Sequence, residues 1–301
     1  MALMPGINYA DEFTKQVQEL YPFKAVFGKL YSNANTNKYR FLNSNTIEVP
    51  TISSSGRTDS DRSGNYDAGT YANNWTQYTL DHERQWNIPL HPRDVEETNG
   101  VTALENILKD HVNQHVIPEK DRYTVSKIYS DWTTKHSKTP IETALTTANV
   151  LSIIDDMSMA MDKERIPVSG RVLYVTHEVN RLIKYADEIQ MTRDVIANGT
   201  SVTRGVSRLD ELEIVVVSAD EMQTEYDFTI GSKTVSSAKQ INMFMIHPDC
   251  LITPATYDFA GYSAPKPETF GVGKYFEEEH MDVFILPYGE KSIQFHATAK
   301  A

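Results

Sequence analysis

Residues 53–74 read SSSGRTDSDRSGNYDAGTYANN and contain no Leu, Ile, Val, Met or Phe. They stand between TIEVPTI (46–52) and WTQYTLDHERQWNIPL (75–90), two runs with strand character. In the first, Ile47 and Val49 fall on one face. In the second, Trp75, Gln77 and Thr79 alternate with Thr76, Tyr78 and Leu80. The pattern predicts a hairpin-like excursion of roughly 35 residues with a polar tip. Structureless loops beyond about 15 residues are uncommon inside a compact domain and are usually functional or disordered. Such a tip cannot bury itself in its own core, so it is expected to meet something else.

Before the hairpin, residues 1–45 read as a weakly structured arm. Tyr9, Phe13, Val17 and Leu20 suggest one short amphipathic helix that ends at Pro22, and NANTNK (33–38) reads as a loop. After the hairpin, Leu104, Leu108, Val112 and Val116 recur every four residues. Val125, Ile128, Tyr129 and Trp132 then continue a helical phase. Pro118 lies between the two phases, so the segment is either one long helix kinked there or two helices in series.

Thr139-Pro140-Ile141-Glu142 has the form of a capping box and predicts a helix running to about Arg165. RVLYVT (171–176), LEIVVVS (212–218) and INMFMIH (241–247) read as buried strands, with an amphipathic helix, HEVNRLIKYADEI, after the first. TRDVIANGTSVTRGVSRL (192–209) reads as a polar loop. Helix and strand therefore alternate through the middle of the chain. ITPATYDFAGYSAPKPET, GKYFEEEHMDVFILP and KSIQFHAT read as further strands. The whole is a mixed α+β chain.

The 301 residues suffice for one large or two ordinary domains, with 40% hydrophobic and 23% charged residues. The net charge is −12 with no Lys/Arg run, which excludes the basic face that a direct nucleic-acid binder needs. Cys250 is the single cysteine, so no intrachain disulfide forms. The N-terminus lacks the pattern of a signal peptide, and no apolar run reaches the length of a membrane span. The glycosylation patterns at Asn74 and Asn198 read as chance matches.

Nothing in the sequence specifies catalysis. His111 and His115 share a helix face, but Val112 stands where a zinc protease carries its glutamate, and no third ligand is marked. Cys250 follows His247 and Asp249, without a thiol-enzyme signature around it. Asp155-Asp156 and Glu277-Glu278-Glu279 read as solvated faces. Gly271-Val272-Gly273 precedes a strand rather than a helix and is no phosphate loop. No catalytic, metal-binding or cofactor-binding residue is assigned, and no cofactor is expected.

The succession of TIEVPTI…WTQYTLDHERQWNIPLHPRDVEET, VIPEKDRYTVSKI, IPVSGRVLYVTHEVNRLIK, LEIVVVS, FMIHPDCLITP and GKYFEEEHMDVFIL resembles the major capsid proteins of tailed bacteriophages with the Hong Kong 97 fold, those of phages of low-GC Gram-positive bacteria above all. The resemblance spans nearly the whole chain. It implies an N-terminal arm (1–45), an extended E-loop hairpin with its flanking strands (46–90) and a peripheral domain with a long spine helix (91–138). It further implies an axial α/β domain (139–255) and return strands of the peripheral domain (256–301).

The implied function is a structural head protein, not an enzyme, that assembles with itself as hexamers and pentamers into an icosahedral or prolate shell. The shell would be built in the host bacterial cytoplasm and carried in the virion, around DNA that it encloses without binding specifically. A portal and no membrane are expected. A separate scaffolding protein is expected too, because the arm begins at Met1 without the namesake's scaffolding extension. The hairpin residues expected at subunit interfaces are Arg57, Asp59, Asp61, Arg62, Asp67, Tyr71, Trp75 and Arg84.

In the fold's namesake a lysine of this loop attacks a neighbour's asparagine. Here residues 51–85 contain no lysine, so non-covalent contacts are expected. Two alternatives stand beside this reading. One is an encapsulin nanocompartment shell with the same fold; the other is a cytoplasmic α/β enzyme using Cys250 or the histidines.

Overall fold

The computed structural model describes residues 25–31, 39–43, 45–57, 69–97, 103–186, 208–209, 212–267 and 270–298. The expected helix between Tyr9 and Leu20, the 33–38 loop and most of the 192–209 loop lie outside these residues.

The centre is a five-stranded sheet. Its strands are β5 (Val172–Thr176), β6 (Arg208–Leu209), β7 (Leu212–Val217), β10 (Ile241–Ile246) and β15 (Ile293–Ala297), in the order β15-β10-β5-β7-β6. Only β5 and β7 run parallel; the other neighbours are antiparallel. Every residue of β5 is buried. Successive side chains of a strand point to opposite faces, so such a strand feeds two cores.

Val172 and Tyr174 enter one core with Phe244, Ile246, Phe295, Val125, Ile128 and Trp132. Leu173 and Val175 enter the other with Met243, Met245 and two helices, Val150–Lys163 and His177–Tyr185. Thr176 caps the latter helix through Oγ1, which accepts the Val179 N–H.

A long helix covers the first core. It runs over 104–135 without interruption, as Leu104–His111, a wider π segment Val112–Val116, Ile117–Ser130 and a second π segment Asp131–Lys135. Proline has no N–H to donate, and its ring would strike the carbonyl four residues back. The π segment lies immediately before Pro118, and Ile117 N–H bonds to the carbonyl of Val112, five residues back. The widened turn lets the helix pass its proline unbroken.

The long helix also carries a second sheet. β4 (Glu83–Leu90), β12 (Ala255–Ser263) and β13 (Gly273–Met281) are antiparallel in the order β12-β13-β4. Trp86 of β4 stacks on His111 at 3.7 Å between ring centroids, and Lys120 pairs with Glu279 of β13 at 2.7 Å. A third sheet holds β1 (Arg40–Asn43), β2 (Thr46–Ser54) and β3 (Tyr71–Thr79), with β2 in the middle. Two small pairs complete the fold: β11 (Leu251–Ile252) with β14 (Phe284–Ile285), and β8 (Tyr226–Asp227) with β9 (Lys233–Thr234).

One expectation is corrected. The helix expected from Thr139 begins only at Val150. Ile141 is drawn instead to the edge of β15, where its N–H bonds to Phe295 O at 2.9 Å and its carbonyl accepts from Ala297 N at 3.0 Å. Asn149 closes the following turn, with Oδ1 accepting from Thr146 N at 2.7 Å. The capping box is a local preference, and the strand contact pairs the Ile141 N–H, which a helix would have left free in its first turn, together with the Ile141 carbonyl.

Of residues 256–301, expected as return strands of the peripheral domain, β12 and β13 join β4, and β15 lies beside β10 in the central sheet.

Candidate functional site: the hairpin of strands β2 and β3

β2 and β3 pair in continuous register from Thr46↔Thr79 to Ser54↔Tyr71. Nine residues of strand reach about 30 Å. At the base, one face is buried: Ile47 and Val49 pack with Leu80, Ile252 and Phe284, and Tyr78 donates its hydroxyl to Ile285 O at 3.1 Å. Towards the tip both strands are exposed on nearly every residue. The described end is closed by Ser55 N bonding to Thr70 O at 2.8 Å and Thr70 N bonding to Ser55 Oγ at 3.0 Å.

The other face is ordered by polar and cation–π contacts. Arg40 of β1 donates to Glu48 Oε2 at 3.0 and 2.8 Å, and Gln77 Nε2 donates to Glu48 Oε1 at 2.8 Å. These hydrogen bonds hold the Glu48 carboxyl below the usual carboxylate range. The Arg40 guanidinium also lies 3.8 Å from the centroid of Trp75, fixing that ring.

Directly paired residues of an antiparallel ladder share a face, and faces alternate along each strand. Pro50↔Trp75, Ile52↔Asn73 and Ser54↔Tyr71 therefore continue the face of Glu48↔Gln77. Ile52 is 80% exposed and Tyr71 86% exposed, so a row of large apolar side chains faces solvent along the hairpin. The outer edge of β3 has no strand partner among the described residues.

Of the residues expected at interfaces, Tyr71, Trp75 and Arg57 are exposed on this element. Asp59, Asp61, Arg62 and Asp67 lie outside the described residues. Arg84 is engaged within its own chain: it pairs with Glu119 of the long helix and donates to Phe228 O at 2.5 Å. It belongs to the packing of β4 on that helix rather than to a free surface. Ile52 was not among the expected residues. A shift in the period-2 pattern marks it, since the apolar positions move from 47 and 49 to 50 and 52.

The hairpin joins the body through one buried carboxylate. Asp282 is fully buried; it accepts from Tyr123 Oη at 2.7 Å, Asp81 N at 3.0 Å and Val283 N at 2.7 Å, with Lys127 Nζ at 3.7 Å. Asp81 is the second residue after β3, so this network sets where the hairpin leaves the core. His82 beside it stacks on Tyr123 at 3.7 Å between centroids. Burial, helped by Arg84, Lys127 and Lys120, pushes His82 down to about 4, so it is neutral at physiological pH.

The remaining chemical candidates have structural roles. His111 lies between Trp86 and Glu277, 3.2 Å from the Glu277 carboxylate, with His115 beside it. Cys250 is buried, and burial pushes its thiol far above its ordinary value. Glu277 also accepts from Tyr275 Oη at 2.9 Å, and Asp155 and Asp156 face solvent. Phe270 and Gly271 both have positive φ and form the turn between β12 and β13. Among the described residues, no group of three or more His, Cys, Asp or Glu could hold a metal ion. No helix of the described residues is long and apolar enough to cross a membrane.

No protein-family model matches the sequence, and no curated protein matches it. Solved structures do. A cyanophage P-SCSP1u capsid structure aligns with a TM-score of 0.72 at 10% identity, over 97% of this chain and 93% of that one. The asymmetric unit of the bacteriophage PhiM1 mature capsid aligns at 0.65 and 11% identity, over 98% and 93%. A chain from Mycobacterium phage Che8 aligns at 0.63 and 12% identity, over 98% of both chains. The described residues have the mixed α+β fold of these phage structures, two of which are capsid structures.

Proposed function

We propose that the protein is a major capsid protein, a non-enzymatic subunit that assembles with copies of itself into the shell of a phage particle. The observation that carries this reading is the correspondence of 97–98% of the chain with capsid structures that share only 10–11% of its residues. The parts take the roles implied by the Hong Kong 97-like resemblance. β2 and β3 form the E-loop, the 104–135 helix is the spine, the sheet β12-β13-β4 is peripheral and the five-stranded sheet is axial. The resemblance to phages of low-GC Gram-positive bacteria, the packaged DNA, the portal and the scaffolding protein belong to the same proposal.

The E-loop would meet a neighbouring subunit through Ile52, Tyr71 and Trp75, with Arg57, Asp59, Asp61, Arg62 and Asp67 at its tip. Exposed ion pairs contribute about 0–1 kcal/mol each. Repeated around a closed shell, such contacts become strong together. The test is removal of residues 56–70, followed by circular dichroism and electron microscopy. The expected outcome is a folded subunit without shells. Normal particles from the deletion variant would overturn the proposal.

A further inference from the structure

Four described residues other than glycine have left-handed backbone: Ser137, Arg165, Phe270 and Tyr288. Ser137 and Arg165 each follow a helix C-cap, where a left-handed residue closes the helix end. Phe270 and Tyr288 stand in turns instead, where glycine or asparagine is the ordinary choice. Leu286-Pro287-Tyr288-Gly289, between β14 and β15, has the form of a type II turn. Gly289 N–H bonds to Leu286 O at 2.8 Å, and Tyr288, at φ 68° and ψ −2°, fills the position that demands a positive φ. Phe270, at φ 54°, bonds through its N–H to Pro267 O at 3.1 Å, and Gly271 N–H bonds to Lys266 O at 3.0 Å. At Gly170, Gly231 and Gly271 the chain does use glycine for a left-handed residue.

Left-handed backbone under a bulky side chain is costly, because Cβ crowds the carbonyl oxygen that follows it. Neither ring offsets that cost by burial in its own subunit: Phe270 is 92% exposed and Tyr288 74% exposed. The backbone beneath them is nonetheless firmly placed. A Cβ on Gly289 would stand 2.7 Å from Cys250 O, and Leu286 N–H bonds to that same carbonyl at 2.9 Å. The Phe270 turn is held by its two hydrogen bonds between β12 and β13. Fixed turns therefore hold two apolar rings out in solvent, in a conformation that other residues would adopt with less strain.

We propose that Phe270 and Tyr288 are contact anchors, two rings presented on strained turns for burial against a second copy of the chain. The inference rests on the capsid reading and adds two contact points that lie outside the hairpin. Charge around Phe270 points to the same partner. Lys266 and Lys274 flank its turn, and a chain of net charge −12 supplies the acidic surface that suits them. A large aromatic ring buried between subunits is the kind of contact that carries binding energy, and it offsets strain that the free subunit bears.

The test is Phe270→Asn and Tyr288→Asn, since asparagine accepts left-handed backbone and carries no ring. Each free subunit should unfold between about 1 °C below and about 3 °C above the wild type. Self-association into capsomers or shells, read by sedimentation, should fall at least about threefold in each variant. A variant that unfolds more than about 4 °C lower, or does not fold, would show that the ring serves its own subunit, and would overturn the inference for that ring. Undiminished self-association would overturn it too. Hydroxyl-radical footprinting of the wild type gives a second reading. Oxidation of both rings should fall at least about threefold from monomer to assembled particle, and unchanged oxidation overturns the anchors while leaving the capsid reading standing. A wild type that stays monomeric at every concentration would overturn the capsid reading and the anchors with it.

Discussion

The central sheet and the β2–β3 hairpin are both built from strands, yet they solve opposite problems. β5 and β10 lie between two cores and bury nearly every side chain. β2 buries Ile47, Glu48 and Val49 and then leaves the body, and β3 exposes most of its nine residues. An isolated two-stranded hairpin is at best marginally stable in water. The structure holds this one at its base, through Tyr78 and the Asp282 network, and along one side, through Arg40, Glu48 and Trp75. The exposed outer residues of β2 and β3 contribute little to the core of their own subunit, and under the proposed function they serve a partner. Under the proposed function, a mutation is expected to read out differently in the two regions: in folding for the sheet, in assembly for the hairpin.

The largest effect is expected in the sheet. Phe244 is fully buried and stacks on Tyr174 at 4.8 Å and on Phe295 at 5.2 Å. Phe244→Ala should destabilise the subunit by about 3–5 kcal/mol, as removal of a buried aromatic usually does. Denaturant unfolding followed by tryptophan fluorescence checks this. A loss below about 1 kcal/mol would show that the two cores collapse around the gap.

A smaller effect is expected at the junction between the regions. Tyr123→Phe removes the 2.7 Å hydrogen bond to Asp282 and leaves the buried carboxylate with its backbone donors and Lys127. A hydrogen bond to a charged group contributes about 1.5–3 kcal/mol, and the same unfolding experiment should show a loss in that range. Because Asp282 also holds Asp81, hydrogen exchange at the base of β3 should rise more than in β5. An equal rise in both would mean that the network supports the body and not the hairpin's exit.

Much of this contrast was legible in the sequence. The two runs around 53–74, the all-apolar strands and the amphipathic helices carry period-2 and period-3.6 patterns that burial imposes directly. The π segment left a trace as well. Leu104, Leu108, Val112 and Val116 repeat every four residues, which an ordinary helix would carry steadily around its axis and a widened turn partly restores. The start expected at Thr139 failed for a physical reason: where the chain goes there depends on a strand partner far away in sequence. Local chemistry cannot name such a partner; Ile141 and Phe295 show their relation only once folded. The intrachain partners of Arg84, Glu119 and Phe228, were hidden for the same reason, since both are far from it along the chain.

On the hairpin, Tyr71→Ala should leave the subunit within about 0.5 kcal/mol of wild type, since the ring is 86% exposed and makes no core contact. The same substitution should reduce shell yield in sedimentation, because a large aromatic at a contact is the kind of residue that carries binding energy. Unchanged yield would remove Tyr71 from the interface and leave Ile52 and Trp75 as the residues to test. A marked loss of subunit stability would instead show that the tip is held by its own chain.

The smallest expected effect is none at all, and it concerns the bond between copies rather than the fold. A covalent link through the hairpin would need a nucleophile there. Residues 51–85 hold three arginines, Arg57, Arg62 and Arg84, and no lysine. A guanidinium stays protonated at any pH the particle meets and attacks nothing. Arg84 is in any case paired inside its chain. The nearest lysines are Lys38 before the hairpin and Lys109 on the long helix after it. Strand β3 and the descent through β4 separate Lys109 from the tip by a span longer than any side chain. Under the proposed capsid function, the hairpin would then hold its neighbour by apolar contact and by charge-assisted hydrogen bonds from Arg57 and Arg62. Mature particles boiled in SDS should give a single band near 34.1 kDa. A ladder of multimers that survives reducing agent would show that a nucleophile outside the hairpin joins the copies, and would end the separation between a self-sufficient core and a non-covalent hairpin.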